Sequence, residues 1–152
     1  MQKLKLGDKA PDFKGITQSG KIVALSDYSG KKLILYFYPK DNTPGCTAEA
    51  CDLRDNYEMW QHKGYQVLGV SADSTKSHQG FAEKYNLPFD LISDTEKQIL
   101  KAYGAWGEKK LYGKSYEGVL RTTYIISENG IIEQIFEKVD TKNHSQQIIK
   151  NL

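Results

Sequence analysis

The chain is 152 residues long, with 21 Lys+Arg against 19 Asp+Glu and a formal net charge of +2. That near-balance supplies no one-signed field to draw nucleic acid or anionic lipid, and 39% hydrophobic with 26% charged residues is a globular composition, not a disordered one. The length fits one domain over 1–152, since domains usually run ~100–200 residues, with a core that needs no disulfide or metal staple.

The start, Met1 to Asp8, contains no apolar stretch of signal-peptide length. The longest apolar run of note, Leu33 to Tyr38, is far short of the ~20 residues of a membrane span. A cytoplasmic protein of a reducing compartment is therefore expected.

Phe13 to Thr17 and Ile22 to Leu25 flank Gln18-Ser19-Gly20-Lys21 and read as a short hairpin. Lys32 to Tyr38 is a β-prone, nearly continuous apolar run, the pattern of a strand covered on both faces. Pro44 to about Lys63 reads as one long helix, and Tyr65 to Val70 as the next strand. Thr75 to Tyr85 is predicted helical, with Phe81 and Tyr85 on one face, and Leu87-Pro88 stops it. Gln98 to Tyr103 suggests a short helix, whereas Glu108-Lys109-Lys110 reads as a solvated loop. Val119 to Ser127 and Ile131 to Phe136 are predicted strands joined at Glu128-Asn129-Gly130, where Asn-Gly signals a hairpin. Asn143 to Leu152 closes the chain as a helix. This order implies an α/β fold with a mixed central sheet, in which sites lie where loops leave the carboxyl ends of central strands.

The loop after the most hydrophobic strand is Pro39-Lys40-Asp41-Asn42-Thr43-Pro44-Gly45-Cys46. With Thr43 as N-cap and Pro44 at the first helical position, Cys46 falls inside the first turn, where free N–H groups and the dipole favour an anion. An ordinary thiol, of pKa ~8.5, is only about 3% ionised at neutral pH. Making it mostly thiolate takes roughly 3–4 kcal/mol, against ~0.3–1 kcal/mol from a helix terminus. A reactive Cys46 thus requires a cation folded against it. Of the two arginines, Arg54 lies eight residues along the same helix, whereas Arg121 interrupts a segment that otherwise reads as core strand and is the better candidate. Lys40 is nearer but lies in a loop. The plainer alternative for Arg121 is an edge-strand charge facing water.

Cys46 and Cys51 are the only cysteines. Five residues apart on an intact helix, their α-carbons lie roughly 8–9 Å from each other, beyond the ~7 Å that a disulfide spans. Oxidation would therefore unwind the first turns. Two inert buried thiols remain an alternative, and the spacing matches no zinc pattern, with His62, His78 and His144 the only histidines to complete one. His62 reads as a partner for the helix dipole at the end of the long helix, the tyrosines, Trp60 and Trp106 as packing, and no glycine-rich phosphate loop is present.

Pro39 to Cys46 fits the peroxiredoxin pattern P-x-x-x-T-x-x-C, and Cys51 resembles the resolving position of the bacterioferritin-comigratory, or Q-type, subgroup. The resemblance spans nearly the whole chain: Gly7 to Phe13, Phe81 to Tyr85, Trp106 to Lys110 and Gly118 to Tyr124 also match, while Tyr124 and Ser127 stand where phenylalanine and aspartate are common. It implies a thioredoxin-like fold with an N-terminal β-hairpin extension and thiol-dependent reduction of hydroperoxides, with no cofactor. By this resemblance Cys46 is the peroxidatic nucleophile that becomes a sulfenic acid. Arg121 holds the thiolate and polarises the peroxide, Thr43 hydrogen-bonds the peroxide, Pro39 walls the pocket and Glu49 orients the arginine. Cys51 resolves the sulfenic acid as an intramolecular disulfide that thioredoxin or a similar dithiol protein reduces. A monomer is expected. The competing readings are a general protein disulfide oxidoreductase and a redox-switched chaperone.

Overall fold

A computed structural model describes residues 3–152. Met1 and Gln2, which open the stretch read above for a leader, lie outside the described residues. In chain order the elements are β1 (Lys14–Thr17), β2 (Ile22–Ala24), a 3-10 turn (Leu25–Tyr28), β3 (Lys32–Phe37), α1 (Pro44–Asp55), α2 (Tyr57–His62), β4 (Tyr65–Ser71), α3 (Thr75–Tyr85), β5 (Asp90–Ser93), α4 (Gln98–Ala102), β6 (Trp106–Leu111), β7 (Lys114–Val119), β8 (Thr122–Ile126), β9 (Ile132–Phe136) and α5 (His144–Lys150).

Seven strands form one mixed sheet in the order β2-β1-β5-β4-β3-β8-β9, and β6 and β7 make a separate two-stranded ribbon. β3 pairs in parallel with β4 and antiparallel with β8, and helices flank the sheet as in thioredoxin-like proteins. The period of two along β3 divides the core. Leu33, Leu35 and Phe37 face one apolar cluster, while Ile34, Tyr36 and Tyr38 face the other, which also contains Cys46, Ala50, Leu53 and Trp60. Gly69 on β4 makes room for this second layer, since a Cβ there would lie 2.9 Å from the Tyr36 ring.

The β3–β8 register positions the site. Phe37, the last residue of β3, pairs with Thr122, the first of β8. The loop leaving β3 toward α1 and the segment entering β8 therefore meet at one end of the sheet, with Arg121 immediately before Thr122.

Three predicted elements need correction. The long helix from Pro44 divides at Asn56, whose φ of −105° and ψ of 9° leave the helical range. The Asn56 amide donates to the Asp52 carbonyl at 2.8 Å, a side-chain bond that competes with helix continuation, and α2 then turns Trp60 into the core. The predicted strand Val119 to Ser127 is two elements: Val119 ends β7, and Leu120 and Arg121 form the connection to β8. Glu108-Lys109-Lys110 is solvated but lies in β6, which hydrogen-bonds along its length to β7. Because that ribbon has no wholly buried face, its sequence shows no alternation. The short strand β5 was also absent from the predicted elements.

Candidate active site

Thr43 is the backbone N-cap of α1, extended at φ −99° and ψ 157°, with Pro44 at the first helical position. Its side chain does not cap the helix as expected; the hydroxyl instead donates to the Lys40 carbonyl at 2.8 Å. Cys46 occupies the third helical position, in the turn whose N–H groups have no intrahelical acceptor. It is only 1% exposed. The Arg121 Nη2 group lies 3.3 Å from Cys46 Sγ, and Nη1 donates to Glu49 Oε1 at 2.7 Å. One guanidinium fork thus grips a sulfur and a carboxylate from the same helix, the planar bidentate use for which arginine is suited. Gly45 permits the approach, because a Cβ there would meet Arg121 Nη2 at 3.3 Å. Arg54, the other arginine, turns away to the Tyr85 carbonyl at 2.7 Å and to Asp55.

Burial opposes the charge on Arg121, but Glu49 and Cys46 overcome it and hold the guanidinium above its usual pKa. Glu49 is wholly buried, and loss of solvent pushes its carboxyl up to about 7 against the pull of Arg121. Its second oxygen, Oε2, has no hydrogen-bond partner among the described residues.

Cys51 is half-buried on the same unbroken helix, so disulfide geometry is out of reach while α1 stays wound. Pro39 is half-buried and directly follows Tyr38, whose ring belongs to the cluster that contains Cys46. The loop between Pro39 and Thr43 is fixed from below by Asp41. That carboxylate accepts Tyr38 Oη at 2.6 Å and Ser77 Oγ at 2.8 Å, and lies 2.6 Å from His78 Nδ1, while the Asp41 N–H donates to Asp73 at 2.8 Å. Asp41, Asp73 and His78 are the one trio among the described residues with metal-binding proximity, and protein groups already engage them.

Sequence reasoning did not single out Asp41, Tyr36, or His78 and His144 as buried network members. Each histidine has one partner more than 20 residues away, Asp41 for His78 and Thr123 for His144, which no local pattern reveals. A signal was nevertheless present at His144: a histidine opening a helix cannot serve the dipole as a cation.

The buried carboxylate has a thermodynamic signature. Between the ordinary value of 4.5 and about 7 the folded chain keeps a proton on Glu49 that the unfolded chain releases. This contribution is therefore most favourable in acid and declines as pH rises through that window, by roughly 3 kcal/mol in all. Denaturant unfolding at a series of pH values is expected to show the unaltered chain losing stability relative to Glu49→Gln by that order. A difference independent of pH would contradict it.

A thioredoxin-like sheet with a buried cysteine at a helix start, faced by an arginine from the neighbouring antiparallel strand's entrance, is the architecture of peroxiredoxins. The family model described as AhpC/TSA family matches residues 6–135. Peroxiredoxin Bcp of Bacillus subtilis is 44% identical over 98% of this chain and 95% of the relative. Among solved structures, a Xanthomonas campestris peroxiredoxin Q cysteine mutant has TM-score 0.86 at 34% identity, covering 91% of this chain and 88% of that one. A Xylella fastidiosa PrxQ cysteine mutant has TM-score 0.92 at 30% identity, covering 99% and 96%. The chain belongs to the AhpC/TSA family, among peroxiredoxins of the Bcp and Q type.

Proposed function

We propose that this chain is a thiol peroxidase that reduces hydrogen peroxide and organic hydroperoxides, acting as a single monomeric domain over 1–152. The observation that carries the reading is the Arg121 guanidinium 3.3 Å from the sulfur of a buried cysteine at the start of α1. A guanidinium hydrogen-bonded to sulfur favours the anion that is the nucleophile.

The Cys46 thiolate attacks the terminal peroxide oxygen. An S–O bond forms, the O–O bond breaks, sulfur is oxidised to a sulfenic acid, and the departing alkoxide or hydroxide takes a proton to leave as alcohol or water. Arg121 steadies the charge as it moves from sulfur to oxygen. Since the Thr43 proton is committed to Lys40, its oxygen is available to accept the peroxide O–H. Pro39 walls the approach to sulfur. Cys51 then attacks the sulfenic sulfur and water leaves, giving a Cys46–Cys51 disulfide with α1 unwound over its first turns. A dithiol protein of the thioredoxin kind supplies the two electrons that restore both thiols. Two unlinked cysteines suit a reducing compartment such as the cytoplasm, and among the described residues no helix is long and apolar enough to cross a membrane.

Burial of Cys46 weighs against a general disulfide oxidoreductase, because a protein disulfide cannot reach a sulfur in a residue 1% exposed. Peroxide consumption and insulin reduction, assayed side by side with thioredoxin as reductant, separate the readings. The peroxidase consumes peroxide and adds nothing to insulin reduction; the converse would overturn the proposal.

A further inference from the structure

We infer that His78 is a positioning residue for the first chemical step: from α3 it holds Asp41, and through Asp41 it keeps the loop between β3 and α1 in the shape that receives peroxide beside Cys46. The inference rests on the thiol-peroxidase reading and brings α3 into a site otherwise built from that loop, α1 and the entrance to β8.

The loop carries two groups assigned to the peroxide pocket, Pro39 and Thr43, and Asp41 stands midway between them. Asp41 is the one buried residue between Tyr38 and Cys46. Its side chain is 4% exposed and that of His78 is wholly enclosed. His78 Nδ1 lies 2.6 Å from Asp41 Oδ2, and Nε2 lies 2.9 Å from the Ile92 carbonyl on β5. A carbonyl can only accept, so Nε2 carries a proton. A second proton must lie between Nδ1 and Oδ2, and that bond persists whichever atom holds it. The ring is thus fixed at both nitrogens and ties the loop to the sheet.

The neighbouring contacts pass this placement on to Thr43. Asp41 also accepts Ser77 Oγ from α3 at 2.8 Å. Asn42, in the left-handed region at φ 59°, accepts Tyr85 Oη from the end of α3 at 3.0 Å. The Thr43 hydroxyl donates to the Lys40 carbonyl at 2.8 Å, closing a ring of chain that encloses Asp41 and Asn42. A shift of Asp41 therefore moves the Thr43 oxygen. Without His78 the buried carboxylate loses a partner and is drawn toward water, and both flanks of Asp41 are exposed residues that offer no resistance. The disulfide step has no such requirement, because Cys46 has by then left the pocket with α1 unwound.

Quenched-flow mixing of reduced protein with increasing hydrogen peroxide, read by mass spectrometry, measures the two steps separately. Oxygen gain on Cys46 rises with peroxide concentration, whereas disulfide formation does not. His78→Phe keeps the bulk of the ring but neither hydrogen bond. It is expected to slow the first step roughly tenfold to a hundredfold and leave the second at least as fast as in the natural chain. His78→Asn places an amide N–H near the position of Nδ1, where it donates to Asp41, and should recover most of the first rate. Once Asp41→Ala is present, His78→Phe should slow the first step no further.

A first step indifferent to residue 78, an equal slowing of both steps, no recovery with asparagine, or an undiminished loss in the Asp41→Ala background would overturn the inference and leave the peroxidase reading intact. If His78→Phe fails to fold, His78→Gln decides, since its amide reaches the position of Nε2 and keeps the Ile92 bond while giving up Asp41. A first step slow with glutamine and fast with asparagine supports the inference; equal rates overturn it. Failure of the unaltered chain to react with peroxide would overturn the peroxidase reading, and this inference with it.

Discussion

Replacing Cys46 with serine is expected to abolish peroxide consumption, whereas replacing Cys51 with serine leaves the first oxidation intact and stops the cycle after one turn. The difference follows from where the sulfurs lie. Cys46 is buried against Arg121 at the start of α1, and a serine hydroxyl there cannot ionise appreciably beside one guanidinium at neutral pH. Cys51, one and a half turns further on and half-buried, receives no contact from the guanidinium. Its thiol becomes necessary only when Cys46 carries an oxygen that must leave as water. The Cys51→Ser protein should consume one equivalent of peroxide in a burst and resume only when a small thiol is added. Sustained turnover of Cys51→Ser with thioredoxin alone would remove Cys51 from the resolving role. Residual turnover by Cys46→Ser would place the chemistry elsewhere.

Arg121→Met is expected to lower the second-order rate with peroxide by roughly a hundredfold to a thousandfold, the loss typical of one preorganised donor aimed at developing charge. Methionine preserves much of the side-chain bulk but withdraws both arms of the fork, from Cys46 Sγ and from Glu49 Oε1. A buried glutamate then faces no cation, so Glu49 neutralises and the start of α1 loses an anchor. Arg121→Lys keeps the charge but can hold only one of the two partners at a time, and its rate should fall between the natural chain and Arg121→Met. Stopped-flow mixing under single-turnover conditions measures both. An unchanged rate in Arg121→Met would show that the contact is structural only.

The legible parts of this molecule are those whose signal is local. β3 announces itself as an apolar run, and the proline and threonine before Cys46 mark a helix start. Arg121 is conspicuous because an arginine among Val119, Leu120 and Thr122 either serves an anion or faces water from an edge strand, and the first is the better fit to a reactive Cys46. Its actual setting, a two-residue connection between β7 and β8, differs from the predicted unbroken strand. The β3–β8 register still brings it to the same place, since Thr122 pairs with Phe37. What the sequence conceals is held by distant partners. The β6–β7 ribbon has no wholly buried face and so no alternation. The break at Asn56 coincides with a side-chain bond to the Asp52 carbonyl, which helical periodicity cannot foresee. Asp41, His78 and His144 are polar residues in the interior, satisfied by groups from other elements.

In the proposed cycle the Cys46 sulfur is the atom that peroxide meets and the Cys51 sulfur the one that follows. Reduced protein mixed with one equivalent of hydrogen peroxide, quenched at successive times and mapped by mass spectrometry, tests this directly. The predicted sequence is a species heavier by one oxygen, carried on Cys46, replaced by one lighter by two hydrogens in which Cys46 and Cys51 of the same chain are joined. Oxygen appearing first on Cys51, or a chain whose cysteines both remain free after peroxide is spent, would contradict it.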